Sequence, residues 1–166
     1  KKALRLLKPY GRIHEAVSVV FSVETLEEGL VEQIKQAAMR TMGVPESRIY
    51  VQTRQESFCA YVLNQPKEIW RHQAVLFDYE GEELRGMVLN VNPRTTPFLA
   101  RVECEESWSR PLSGLQQEDK NGAFQELIRE IFSGRPISTV YLVGEGFEED
   151  WYEASLKLLC SGRRVF

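Results

Sequence analysis

Between residues 74 and 104 the chain carries three runs rich in apolar and β-branched residues, 74–79, 84–91 and 98–104. The first two are joined only by Glu80-Gly81-Glu82-Glu83, which leaves room for a reversal of direction and nothing more. Short apolar runs joined by short turns predict an antiparallel three-strand meander. A lone meander has too little to bury, so the flanking segments must cover it.

Those segments alternate. After the meander, Phe124, Leu127, Ile128 and Ile131 share one helical face, closed by Gly134 and Pro136. A strand follows over 138–143, then a helix marked by Trp151, Ser155, Leu158 and Leu159 and ended by Gly162, and 164–166 begins a last strand. Before the meander, Leu4, Leu7 and Tyr10 give a short helix within 4–14, and the run 16–21 is a strand. Thr25 with Glu28 reads as a capping box opening a helix whose apolar positions are Leu26, Leu30, Ile34, Ala38 and Met42, stopped by Gly43 and Pro45. A strand at 49–51 and a helix over 57–63 lead to the Asn64-Gln65-Pro66 break. The order α-β-α-β-α, break, β-β-β-α-β-α-β predicts an α/β chain in two halves, 1–66 and 67–166, each a mixed sheet flanked by helices.

Composition narrows the function classes. The 166 residues are 43% hydrophobic and 27% charged, enough to build a core. With 21 Lys+Arg against 24 Asp+Glu the net charge is −3, which argues against nucleic acid as a partner. The longest apolar stretch, 16–23, is interrupted by serines and is too short to span a bilayer, so no membrane role is expected. Cys59, Cys104 and Cys160 lack ligand-like spacing and sit in apolar stretches, predicting buried reduced thiols and a cytoplasmic location. The start at Lys1-Lys2 and the stop at Arg164-Val165-Phe166 read as an internal piece of a longer protein. His14 and His72 read as ordinary surface or packing histidines, and Trp70, Trp108, Trp151 and Tyr152 as core or interface anchors.

Several local patterns, in this order, resemble those of the actin-like ATPase superfamily, which includes actin, the heat-shock chaperone ATPases and the sugar kinases. The stretch 17–41 is similar to the strand and helix that lead into its first connecting segment, and Met42-Gly43-Val44 to the turn that ends that helix. Gln55-Glu56-Ser57-Phe58-Cys59-Ala60 resembles its connecting motif. Val75-Leu76-Phe77-Asp78-Tyr79-Glu80-Gly81 resembles its second phosphate motif, and Val140-Tyr141-Leu142-Val143-Gly144-Glu145-Gly146 its adenosine motif. The resemblance covers nearly the whole chain. It implies a ribonuclease-H-like fold, with part of a first half joined to most of a second, and ATP and Mg²⁺ held between the halves of the intact protein.

Roles follow from that resemblance. Asp78 would serve the metal, Gln55 or Glu56 the attacking water, Gly81 the phosphates, and Gly144 with Gly146 the nucleoside. Each residue also has a plainer reading. Asp78 fits a strand-ending turn residue equally, Gly81 a hairpin turn, and Glu56 an acid at a helix N-terminus. The departures are chemical: Tyr79, Glu80, Glu82 and Glu83 stand where small residues are expected, and carboxylates repel phosphate. The first phosphate loop has no counterpart in the sequence, so no ATP hydrolysis is expected of this chain. Two functions remain open: a nucleotide-binding module, or a degenerate, non-hydrolysing scaffold acting through protein contacts. A first half without its opening strands would also leave a sheet edge exposed near 16–21 and 49–51, predicting a homodimer through that half or, alternatively, a helix at 4–10 folded back over the gap.

Overall fold

The computed structural model describes residues 17–92, 94–97 and 99–166. The helix expected within 4–14 and the opening of the first strand at Ala16 lie outside them. The chain divides into two compact units, Lys1–Ser57 and Phe58–Phe166.

In the first unit, β1 (Val19–Val23) lies parallel to β2 (Ile49–Thr53), with Val19 opposite Ile49 and Val23 opposite Thr53. Between them runs α1 (Glu28–Met42), ended by Gly43 with φ 69°. Val19, Phe21 and Ile49 point at Ala38, Met39, Met42 and Val44, forming a small core. The alternate positions Val20 and Tyr50 are 51% and 54% exposed. The expected cap at Thr25 is not formed: Glu27 occupies the N-cap position of α1 without a side-chain hydrogen bond.

Helix α2 (Arg54–Leu63) follows β2 directly, so the division of the chain falls within it, ahead of the Pro66 break. Its residues Phe58 and Val62 belong to the second core. After the short α3 (Lys67–Trp70) come β3 (Gln73–Glu80), β4 (Glu83–Asn92) and β5 (Leu99–Glu103), the expected meander, antiparallel at both junctions. The expected start of β5 at Phe98 lies outside the described residues. The three-residue β6 (Ser109–Pro111) adds a second partner for β4. Helix α4 (Gln117–Phe132) then crosses to β7 (Ile137–Val143), which pairs parallel with β3 and places Val140 against Val75. A 3₁₀ turn over Asp150–Ser155 and α5 (Leu156–Leu159) lead to β8 (Arg164–Val165), parallel to β7. The sheet order is β5-β4-β3-β7-β8, with β6 beside β4.

β3 is the centre of this sheet and is apolar on both sides, as a strand covered on two faces must be. Val75, Phe77 and Tyr79 face α4 and the 3₁₀ turn, where Phe77 meets Phe124 edge-on at 5.0 Å. Ala74 and Leu76 face α2 and α3, with Met87, Leu89 and Tyr141. Thr139 Oγ1 donates to the Ile69 carbonyl at 2.6 Å, fastening α3 to the start of β7. The result is an α/β unit with a mixed sheet and helices on both faces. The thiols depart from expectation: Cys104 and Cys160 are exposed, because one follows the end of β5 and the other the end of α5, while Cys59 is half-buried. No helix among the described residues is long and apolar enough to cross a membrane.

Candidate functional site

The C-terminal ends of parallel strands are where α/β sheets place their ligands, and the ends of β3 and β7 adjoin here. Asp78, near the end of β3, is 7% exposed. It sits in register between Arg85 of β4 and Val143 of β7. Among the described residues no three His, Cys, Asp or Glu side chains are grouped to hold a metal ion.

The strand pair β3–β4 closes through Gly81 and Glu82, with Glu80 opposite Glu83. Gly81 has φ 66°, the backbone required at the first central position of a two-residue hairpin turn, and no neighbour lies within 4 Å of where a side chain would start. Glu80 and Glu82 are exposed. Glu83 turns along the sheet face instead: its carboxylate accepts from Arg85 Nε at 2.8 Å and from the Ser109 hydroxyl. The Ser109 hydrogen bond, then that of Arg85, holds its carboxyl below the usual range. Glu83, Arg85 and Ser109 line an open groove of about 310 Å³ with Cys104, Glu105 and Glu106. Partial burial pushes the Cys104 thiol up, opposed by Arg85.

Beyond β7, Gly144 adopts φ 108°, closed to ordinary side chains. A Cβ there would lie 2.1 Å from the Tyr79 carbonyl oxygen, and one on Gly146 would lie 2.0 Å from the Tyr79 ring. Tyr79 thus fills the room that the two glycines make. Its ring stands edge-on to Phe147 at 6.0 Å and Trp151 at 5.7 Å, and Trp151 Nε1 donates to the Gly146 carbonyl at 2.6 Å. The strand end and the following turn are one aromatic-packed piece.

Glu56 and Gln55 belong to the first unit, and both are exposed. The Glu56 carboxylate accepts from the Thr53 amide at 2.7 Å and the Thr53 hydroxyl at 3.0 Å, while the Glu56 amide donates to Thr53 Oγ1 at 3.1 Å. This is a reciprocal capping box, which opens α2 at the end of β2. Sequence reading missed it, although Thr53-Arg54-Gln55-Glu56 carries the required spacing. It missed the Ser109–Glu83–Arg85 arrangement as well, because three residues of β6 give no periodic signal.

The model of a family of unknown function (DUF5716), C-terminal, matches residues 1–166. The chain belongs to that family. No curated protein matches this DUF5716 C-terminal chain.

Proposed function

We propose that this chain is a motif-degenerate, actin-like module that works through protein contacts and does not hydrolyse ATP. The observation that carries the reading is the packing of Gly144 and Gly146 onto Tyr79, which accounts for both glycines without a nucleoside. The same holds elsewhere: Gly81 is accounted for by its turn and Glu56 by the Thr53 cap. The exposed carboxylates of Glu80 and Glu82 flank the hairpin glycine, and they would repel a triphosphate brought against that turn. These residues fit ATP·Mg²⁺ poorly, and no catalytic step is assigned to them. The actin-like part of the reading is supported by the meander, the crossover through α4 and the parallel β7 in the order that the resemblance implies.

A nucleotide-binding reading keeps one support, the buried Asp78 at the end of the central strand. Titration with a fluorescent ATP analogue, with and without Mg²⁺, separates the two, alongside steady-state phosphate release. The expected result is no Mg²⁺-dependent binding, and phosphate release equal to that of an Asp78→Ala control. Saturable, Mg²⁺-dependent binding that Asp78→Ala abolishes would overturn the scaffold reading.

A further inference from the structure

Among the described residues the first unit's sheet has two strands, mutually parallel, and β1 hydrogen-bonds to β2 alone. Parallel sheets are almost always larger and covered on both faces, and two strands by themselves are marginal. Here α1 covers one face with two buried residues, Ala38 and Met42, which pack with Val44 and with Ile49 of β2. The other face presents Val20 and Tyr50, cross-strand neighbours that are each more than half exposed.

The two outer edges differ in chemistry. β1 reads Val-Val-Phe-Ser-Val, so its own residues set neither a charge nor a proline against pairing. β2 is bracketed by Arg48 and Arg54. If β2 paired antiparallel with its own copy about Val51, Arg48 of one chain would stand opposite Arg54 of the other, and like charges directly opposite are destabilising. The same operation on β1, about Phe21, sets Val19 opposite Val23, Val20 opposite Ser22 and Ser18 opposite Glu24. No like charges meet. The parity is also right: residues facing α1 meet residues facing α1, which puts the two-fold axis perpendicular to the sheet.

We infer that β1 is a self-complementary edge, and that two copies of this chain join β1 to β1 in an antiparallel pair, making a four-stranded sheet β2-β1-β1-β2 with both α1 helices on one face. Such an association is independent of whether the second unit binds nucleotide, so a nucleotide-binding result leaves it standing.

Sedimentation velocity on the 166-residue chain between about 5 and 200 µM tests it, combined with hydrogen exchange at both ends of that range. The mass is expected to rise from 19.2 kDa toward twice that value, with amide protection growing at residues 19–23 and not at 49–53. Register is tested on the exposed face. The double substitution Val20→Glu with Ser22→Glu places two carboxylates opposite each other twice and should return the protein to a monomer. Val20→Lys with Ser22→Glu places Lys opposite Glu and should restore the dimer. Circular dichroism checks that both variants fold. A monomer throughout the range, a dimer whose new protection lies at 49–53, or a dimer indifferent to the Glu pair would each overturn the inference. The exchange measurement needs no variant, so misfolding of one cannot rescue the idea.

Discussion

Tyr79 ties the end of the central strand to the turn that follows β7, because the backbone of Gly144 and the open side of Gly146 are shaped around it. Gly144→Ala must place a Cβ against a carbonyl oxygen in a left-handed backbone, where neither partner can swing aside. We expect a loss of more than about 2 kcal/mol, measured by urea unfolding. Gly146→Ala meets only a ring, so its cost should fall when Tyr79 is also cut to Ala. A double-mutant cycle reads this directly: additive costs would show that Gly146 is not there for the ring. Tyr141 makes the opposite case. Its ring packs among Phe58, Tyr61 and Phe166, yet its buried hydroxyl has no hydrogen-bond partner among the described residues, and burial raises its pKa. Tyr141→Phe is expected to be neutral or stabilising, since a buried unsatisfied hydroxyl costs about 1–3 kcal/mol. A loss above about 1 kcal/mol in the same assay would point to a partner for that oxygen.

At the scale of elements, two joints carry testable energetics. Glu56→Ala should cost about 1 kcal/mol by removing half of the capping box, and Glu56→Gln should keep most of it. If the two substitutions cost the same, the reciprocal bond is not stabilising α2. At the β4–β6 joint, Glu83 has a folded-state pKa below the ordinary carboxylate value. Its contribution is therefore complete above the unfolded value of about 4.3 and is lost as pH falls through the folded value. The difference in melting temperature between the native chain and Glu83→Gln should be largest near neutrality and shrink below about pH 4. A difference that grows on acidification has the wrong sign for this account.

Much of this was legible in the sequence. The meander and the strand after α4 were legible as continuous apolar, β-branched runs bounded by turn residues, and α4 by the 3.6-residue spacing of Phe124, Leu127, Ile128 and Ile131. The cap was not. Thr25–Glu28 and Thr53–Glu56 have the same spacing, and the chain uses only the second, because β2 ends at Thr53 and must turn at once while α1 starts later, at Glu28. β6 was invisible for a different reason: its strand character comes from pairing with Glu83, Leu84 and Arg85, not from its own residues. The glycines after β7 were legible as important, but the reason, a tyrosine more than sixty positions earlier, is a tertiary fact.

In the whole molecule, the two units differ in how much apolar surface they bury. The second unit seals Phe77, Phe124, Leu84, Leu89, Leu127 and Ile131 completely, while among the described residues the first has a small cluster beneath α1. Hydrogen exchange should therefore be slowest in β3, β4 and β7 and faster in β1 and β2 at concentrations where the chain is dilute. Equal protection in the two units would show that the first draws stability from something beyond its own core.

The position of β3 has a consequence for how the protein is made. Its two neighbours arrive at different times on the ribosome: β4 emerges directly after it, but β7 only once β5, β6 and α4 have been synthesised. Until then the most deeply buried strand among the described residues offers a bare row of amides and carbonyls to any passing nascent polypeptide. Ribosome-stalled chains ending before Ile137 should accordingly be bound by holdase chaperones, and chains extended past Val143 and clear of the exit tunnel should be released.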